Sequence, residues 1–208
     1  MSRGGRWSRY YDAVQARPPR DTLLFALDRF AAEGLPAAPR ALDLGCGDGR
    51  DTVELLRRGW RTLAMDATPE AIDRLLARPD LPKDPPTAGN LETLVARFED
   101  FQPPPADLIN ASFCLPFCEA AAFPDVWRRL SAAIRPGGRF AGQLLGPQDD
   151  WAQSGVIIHS RADIDRLAAG FEIELLQEVR EEGGTPLART KHWHIFHLVL
   201  KSSDKNDN

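Results

Sequence analysis

The residues best suited to chemistry surround one glycine-rich stretch, residues 41–52, with the sequence ALDLGCGDGRDT. A short apolar run ends at Leu44, and Gly45, Gly47 and Gly49 follow directly. Glycine lets the backbone adopt positive φ angles and lets a ligand approach the main chain closely. The pattern predicts a strand, a tight turn and a helix, with a ligand held at the turn.

Three carboxylates lie in or beside this turn, on Asp43, Asp48 and Asp51. A dinucleotide places its pyrophosphate at a helix N-terminus, where free N–H groups and the helix dipole favour an anion. Carboxylates would repel that group, and the spacing GxGxG differs from the GxGxxG of dinucleotide sites. The turn therefore suits S-adenosylmethionine, which has an ammonium group, hydroxyls and no phosphate, better than it suits NAD.

A second interpretation of two of these acids is structural. Asp48 and Asp51 lie where a helix is expected to begin, and Asp is favoured there as a cap and by the helix dipole. Asp43 differs, because its strand is predicted to be buried and a charge is rarely buried without a partner. The sequence leaves the roles of Asp48 and Asp51 open.

Asp66 follows the second apolar run, in the segment TLAMDATPEA. It lies about 20 residues beyond the first glycine of the turn, the distance at which nucleotide-binding folds place an acidic ribose ligand. Asp66 is therefore a candidate for binding ribose hydroxyls. The alternative is an ordinary loop residue.

The composition excludes several classes of function. The 208 residues carry a formal net charge of -4 and no run rich in lysine or arginine, whereas a nucleic-acid binder needs a basic surface. The sequence shows no membrane-length apolar stretch and no signal-peptide pattern. Its three cysteines form no CxxC pair, and their odd number together with the lack of a signal peptide favours a reducing compartment. We expect a cytoplasmic monomer or weak homodimer that acts on a small molecule, with no nucleic-acid partner, no membrane association and no bound metal.

Glycine and proline divide the chain into short apolar runs and longer amphipathic segments. The patterns predict helices over residues 21–32, 51–58, 123–134 and 164–169, and another that begins at Pro69. They predict strands over residues 41–44, 62–65, 91–98, 107–111, 139–145, 171–179 and 192–200.

Strands that alternate with helices form a parallel sheet covered on both faces. The last two strands are separated only by a glycine-rich turn near Gly183 and Gly184, so they must run antiparallel. The expected fold class is α/β: a Rossmann-like, doubly wound, mostly parallel seven-stranded sheet with the last strand antiparallel and helices on both faces. We expect one domain over residues 1–200, with an N-terminal lid over residues 1–20, and a disordered tail over 201–208.

These segments resemble the class I S-adenosylmethionine-dependent methyltransferases. The stretch LDLGCGDG at residues 42–49 is similar to their first motif, and Asp66 to their ribose-binding acid. ADLINA at residues 106–111 resembles the fourth-strand motif, and IRPGGRF at residues 134–140 the turn into the fifth strand. The small single-domain enzymes of the tellurite-resistance type look nearest. The resemblance implies S-adenosylmethionine as cofactor and methyl transfer as activity.

The strand ends and the resemblance together indicate which residues bind the cofactor: Asp43, Gly45, Cys46, Gly47, Asp66, Ala67, Phe98, Glu99, Asn110 and Ala111. The family often has an acidic residue after strand three that meets the adenine amino group. Counted from the following segment FEDF, that position is occupied by Arg97 in this sequence. Glu99 or Asp100 takes the role, or the main chain at Phe98 and apolar walls hold the adenine.

Methyl transfer from a sulfonium is an in-line displacement with an excellent leaving group. An enzyme therefore contributes mainly proximity, orientation and exclusion of water. A general base is needed only where the acceptor must lose a proton, and the sequence assigns no catalytic residue. The acceptor is expected beyond the carboxyl ends of the strands, near strands four and five and under the lid. The expected pocket residues are Tyr10, Tyr11, Phe113, Phe117 and Trp151.

Two further groups have chemical side chains but a weaker claim to function. Cys114 lies among Phe and Leu, which indicates a small buried side chain rather than a nucleophile. His192 and His194 share one strand face and His197 points to the other, so an edge pair or a pocket wall is favoured over a metal site. The alternatives to a methyltransferase are a non-catalytic S-adenosylmethionine-binding regulatory module and, less favoured, an NAD-dependent oxidoreductase.

Overall fold

The computed structural model describes residues 3–14, 17–82, 90–187 and 190–203, with the main chain alone at residues 3–7 and 10. The strands of this part of the chain are β1 (Arg40–Leu44), β2 (Arg61–Asp66), β3 (Leu91–Val95), β4 (Ala106–Ala111), β5 (Ile134–Leu145), β6 (Phe171–Gly184) and β7 (Thr190–Ser202). They form one seven-stranded sheet in the order β3-β2-β1-β4-β5-β7-β6. β7 alone runs antiparallel to the other six strands, which confirms the predicted fold class.

The order of the strands creates the site. The chain lays β1, β2 and β3 outward in one direction and then places β4 on the other side of β1. This reversal leaves a crevice at the carboxyl ends of β1 and β4, where open α/β sheets bind ligands. Asp43 lies opposite Asn110 in that strand pair. The glycine turn after β1 and the segment after β4 therefore meet at one edge.

Helices cover both faces of the sheet. They are α1 (Arg3–Val14), α2 (Asp21–Glu33), α3 (Arg50–Arg57), α4 (Pro69–Leu76), α5 (Phe123–Ala133) and α6 (Arg161–Leu167), with short 3₁₀ turns at Leu115–Phe117 and Asp150–Gln153. Leu27 of α2 packs in one apolar core with Ala41, and Leu130 of α5 in another with Leu42. Consecutive residues of β1 face different cores because successive side chains point to opposite faces of the sheet. Within the described residues, no helix has the length and apolar character needed to cross a bilayer.

Two helices differ from the expectation. Helix α1 was not predicted, and it lies within the segment expected to form a lid. Helix α6 begins at Arg161 rather than at 164, because Ser160 and Asp163 form a capping box at its start. That box is visible in the sequence SRAD and was a usable signal.

Several strand limits also differ. β3 ends at Val95 rather than at 98, because its partner β2 ends at Asp66. β5 begins at Ile134, which pairs with Ala106 across an irregularity in register. β6 continues through Gly183 and Gly184, which pair with β7 instead of forming the turn. β7 runs to Ser202, two residues beyond the expected limit of the domain, and residues 204–208 lie outside the described chain.

Candidate active site

The glycine turn has the backbone conformation that its composition predicted. Gly45, Gly47 and Gly49 have φ angles of +59°, +56° and +86°, which residues other than glycine rarely adopt. A Cβ at Gly45 would lie 2.4 Å from the Cβ of Cys114. The Cys46 N–H donates to the Met65 carbonyl at 2.9 Å, which joins the turn to the end of β2. Glycine at position 45 is therefore required by both conformation and close approach.

Asp43 and Asn110 form the buried base of the site. The Asn110 amide donates to Oδ1 of Asp43 at 2.8 Å and to Oδ2 of Asp51 at 3.1 Å, and the Thr52 hydroxyl donates to Oδ2 of Asp43 at 2.5 Å. Burial, and secondly the charge of Asp51, raise the pKa of Asp43 to about 7. Asn110 and Ala111 are themselves fully buried. These side chains lie beneath the crevice and shape it from below.

Neither Asp48 nor Asp51 caps α3, although Asp51 lies in its first turn. The N-cap of α3 is Gly49, and no side chain caps it. Asp51 instead accepts the Arg20 N–H at 3.1 Å, and Asp48 lies 3.4 Å from the Arg78 guanidinium. Because arginines accompany these acids, the turn repels a phosphate less than its sequence suggested.

Asp66 lies at the carboxyl end of β2 and faces the glycine turn. Its Oδ2 accepts the Gly47 N–H at 3.1 Å, and its Oδ1 accepts the N–H and the hydroxyl of Thr68, both at 2.9 Å. A carboxylate oxygen has two acceptor positions, so Oδ2 retains one for a ligand hydroxyl. The neighbouring Ala67 is exposed. Asp66 therefore both orders the turn and keeps a free acceptor position beside it.

On the adenine side, Phe98 and Glu99 have different positions. The Phe98 ring lies 3.7 Å from the point where a Cβ of Gly45 would stand, so this ring reaches the turn. The Glu99 carboxylate accepts the Glu119 N–H at 2.7 Å and lies 3.2 Å from the Arg97 guanidinium. Although burial opposes it, hydrogen bonding led by that N–H lowers the pKa of Glu99 to about 2. Glu99 is thus already engaged by protein groups, and Arg97 is exposed.

Helix α1 brings Tyr11 onto the glycine turn. The buried Tyr11 ring lies 3.3 Å from the position of a Cβ on Gly47, and its hydroxyl is 3.2 Å from the Thr68 hydroxyl. Asp12 accepts from Arg74 of α4 at 2.7 Å, and the Ser8 hydroxyl donates to Glu70 at 2.6 Å. Tyr11, expected in the substrate pocket, therefore lies against the cofactor turn. The side chain of Tyr10 lies outside the described residues.

The other three predicted pocket residues belong to a set of aromatic contacts, here named the aromatic face. Phe117 lies 6.2 Å from Trp151, Trp151 lies 5.3 Å from Trp193, and Trp193 lies 6.2 Å from Phe113, between ring centres. The aromatic face consists of Phe113, Phe117, Trp151 and Trp193. It joins the segments after β4 and β5 to strand β7.

Phe113 has a strained backbone at the start of this face. Its φ is 53°, the only positive value at a non-glycine position among the described residues. Its N–H donates to Oε1 of Gln143 at 3.2 Å, and the Gln143 amide donates to the Thr22 hydroxyl at 2.7 Å. Strained backbone persists where surrounding contacts enforce it, and such positions cluster at functional sites.

The loop after β5 is fixed by a buried ion pair. Lys191 of β7 donates to Asp149, and its ammonium lies 3.9 Å from the ring centres of both Trp151 and Trp193. Asp149 also accepts the Trp151 N–H at 2.9 Å and the His194 N–H at 3.1 Å. The pair thereby sets the position of both tryptophans.

The cysteines are buried thiols, and two histidines of β7 are paired with acids. All three cysteines are free and buried, and burial raises the pKa of Cys114 well above its usual range. His194 is buried, with its Nε2 2.9 Å from Glu178, and His192 lies 3.0 Å from Glu182. Across the described ranges, no group of three or more acidic, histidine or cysteine side chains is arranged to hold a metal.

Sequence reasoning missed several residues of the site. Gln143, Trp193 and Arg20 hold or contact Phe113, and none was proposed. Gln143 had a usable signal, because a polar residue inside the apolar run FAGQLL of a buried strand needs a partner. Arg20 and Trp193 had none, since their roles depend on contacts between distant parts of the chain.

Comparison with known proteins agrees with this geometry. Residues 41–138 match the model of a family described as a methyltransferase domain. An uncharacterized methyltransferase of Synechocystis is 30% identical over 121 residues, which cover 57% of this chain and 54% of that protein. The chain thus spans about half the length of this curated relative.

Solved structures share the fold at low identity. The crystal structure of TehB from Haemophilus influenzae has a TM-score of 0.71 at 14% identity, with 93% of this chain and 66% of that chain covered. A didemethyltoxoflavin N1-methyltransferase of Burkholderia thailandensis has a TM-score of 0.66 at 22% identity, with coverage of 97% and 87%. The matched segment spans the glycine turn, Asp66 and β4, so residues 41–138 are similar to a methyltransferase domain, and the chain shares the fold of these solved structures.

Proposed function

We propose that this protein transfers a methyl group from S-adenosylmethionine to a small-molecule acceptor bound at the aromatic face. The observation that carries the proposal is the continuity of two surfaces. Cys114 packs on Gly45 of the cofactor turn, and its neighbour Phe113 begins the aromatic face. A ligand on the turn and a ligand on the face would therefore be adjacent.

The residues at the turn suit this cofactor. Glycine main chain admits close approach, Asp66 retains an acceptor position for a ribose hydroxyl, and Phe98 offers an apolar wall for the adenine. The carboxyl groups of Asp43 and Asp51 place acceptor oxygens at the buried base of the crevice, which suits an ammonium group. When bound, S-adenosylmethionine supplies an electrophilic methyl group on a sulfonium. Gly45, Gly47, Asp66 and Phe98 would hold it directly.

The protein's own contribution is enclosure and orientation. Tyr11 of α1 covers the turn, and an ion pair between Asp12 and Arg74 and a hydrogen bond from Ser8 to Glu70 join the helix to α4. We propose that residues 1–20 act as a lid that opens to admit ligands and excludes water when closed. Removal of residues 1–19 is expected to abolish turnover while the sheet remains folded. Full turnover by the shortened chain would contradict the lid.

Two features support a small acceptor in a reducing compartment. The net charge of -4 disfavours a polyanionic partner, and the three cysteines are free thiols. The Burkholderia thailandensis neighbour was crystallised with 1,6-didemethyltoxoflavin, a small molecule, and S-adenosylhomocysteine. We propose a cytoplasmic enzyme of one domain that is a monomer or weak dimer and does not bind nucleic acid.

Release of S-adenosylhomocysteine in the presence of candidate acceptors tests the proposal. Small aromatic phenols, amines and thiols form the panel, and the protein without acceptor is the control. We expect at least one acceptor to raise product release above the control. Tight binding of S-adenosylmethionine with no methylation of any acceptor would instead support a regulatory binding module.

A further inference from the structure

His197 lies on β7 in direct line with the residues that fix Phe113. In the pairing of β5 with β7, His197 stands opposite Gln143, the side chain that holds the Phe113 N–H. The ring centres of His197 and Phe113 are 6.3 Å apart, with an interplanar angle of 83°. Since residues two apart share a strand face, Trp193 and His197 point to the same side of β7. His197 is therefore next to the aromatic face.

Neither ring nitrogen of His197 has a hydrogen-bond partner among the residues that the structure describes. The ring is only partly buried, so a ligand can reach it. The other histidines of this strand differ, because His192 pairs with Glu182 and both nitrogens of His194 are engaged. Of the strand's three histidines, His197 alone has both ring nitrogens without a hydrogen-bond partner among the described residues.

The surroundings of His197 favour its neutral form. Burial, and secondly the positive charge of Arg20, lower the pKa of this imidazole. Asp21 on α2 and Glu181 on β6 act in the opposite direction and do not overcome it. At neutral pH the ring therefore offers one unprotonated nitrogen, as a general base requires.

We propose that His197 accepts the proton of the acceptor, and that the acceptor is an aromatic compound with a hydroxyl or N–H group. The inference rests on the proposed function and narrows its substrate class. The acceptor's lone pair forms the new bond to the methyl carbon, and the carbon–sulfur bonding pair remains on sulfur. The proton moves from the acceptor to a ring nitrogen of His197 and later to water. The aromatic ring of the acceptor would pack on the surface that Phe113 and Trp193 form together.

The first test does not depend on turnover. Histidine labelled at Cε1 lets NMR follow each imidazole, and His197→Gln identifies the resonance of His197. With S-adenosylhomocysteine and phenol added together, we expect the His197 signal to shift while that of His192, which pairs with Glu182, stays constant. An unchanged His197 signal, with the cofactor product demonstrably bound, would overturn the inference.

The second test compares methylation of phenol and of para-nitrophenol. The hydroxyl of para-nitrophenol is more acidic, so its proton leaves more readily without the help of a base. For His197→Gln we expect a loss of roughly 100-fold to 10,000-fold with phenol at neutral pH. The loss should be smaller with para-nitrophenol and should diminish as the pH rises. His192→Gln, the matched control on the opposite strand face, should retain its activity and profile.

The outcomes separate this inference from the function on which it rests. An equal loss with both phenols at every pH would mean a structural role for His197 and would overturn the inference. Methylation of thiophenol or tellurite, but of neither phenol, would also overturn it while the proposed function stood. Failure to bind S-adenosylmethionine at all would refute the proposed function, and the inference with it.

Discussion

The amide of Asn110 donates to Asp43 at 2.8 Å and joins the ends of β4 and β1 beneath the crevice. The same amide nitrogen also donates to Asp51 at 3.1 Å. Two acids that would repel each other are thus held by one neutral donor at the base of the site. This arrangement gives Asp43 an unusual protonation behaviour that can be measured.

Replacement of Asp43 by Asn should change how stability depends on pH. Burial and Asp51 raise the pKa of Asp43 from its ordinary value of 3.8 to about 7. The folded state therefore holds this proton longer than the unfolded chain, and the group's contribution to stability falls as pH rises from about 4 to about 7. We therefore expect the stability of Asp43→Asn relative to the parent to be greater at about pH 8 than at about pH 5.

Urea denaturation of the parent and of Asp43→Asn, at about pH 5 and about pH 8, measures the difference between their free energies of unfolding. Asp165→Asn, on the exposed surface of α6, is the matched control. A difference between parent and Asp43→Asn that stays constant with pH would contradict the placement of an ionisable, buried Asp43.

The turn itself can be tested with two glycines that share a positive φ. Gly45→Ala would place a Cβ 2.4 Å from Cys114, whereas Gly170→Ala, at φ +85°, would meet nothing within 4 Å. Both substitutions incur backbone strain of about 1–2 kcal/mol. We expect Gly45→Ala to lower thermal stability more than Gly170→Ala does, because only its Cβ meets a neighbour, and we expect it alone to weaken cofactor binding. Equal effects of the two substitutions would show that close approach at Gly45 is unimportant.

The buried pair of Lys191 and Asp149 provides a third prediction. Lys191→Met or Asp149→Asn alone leaves one buried group uncompensated, at a cost of about 3–5 kcal/mol in unfolding free energy. The double substitution should cost less than the sum, because no lone charge remains. Arg161→Met, in the exposed pair with Asp165, should cost less than about 1 kcal/mol. Additive single costs, measured by urea denaturation, would show that the two side chains are not coupled.

Much of the fold could be predicted because its signals are local. The run of apolar residues before Gly45 and the position of Asp66 follow from strand and turn chemistry within a few residues. Helix α1 could not be predicted in the same way. Gly4 and Gly5 each disfavour a helix by about 1 kcal/mol. Its stabilising contacts, such as that between Asp12 and Arg74, come from α4, far along the chain.

The candidate site was partly predictable for the same reason. The residues of the glycine turn could be identified because neighbours in sequence are neighbours in space there. The contact of Phe113 with His197 depends on the register between β5 and β7, which no local pattern encodes. Asn110 was placed at the cofactor because it ends a strand, but its partners are acids on two other elements.

Asp66→Ala tests the placement of the ribose. The substitution removes the free acceptor position on Oδ2 and also the hydrogen bond that orders Gly47. Loss of one charge-assisted hydrogen bond costs about 1.5–3 kcal/mol, so affinity should fall roughly 10-fold to 160-fold. Asp73→Ala, on the exposed face of α4, is the control and should bind normally. Unchanged affinity in Asp66→Ala, measured by calorimetry, would place the ribose elsewhere.

Calorimetric titration of the unmodified protein with S-adenosylmethionine, S-adenosylhomocysteine and NADH tests the central claim most directly. A methyltransferase site built on the glycine turn and Asp66 predicts binding of both sulfur compounds and no binding of NADH. Binding of NADH without binding of S-adenosylmethionine would contradict the account.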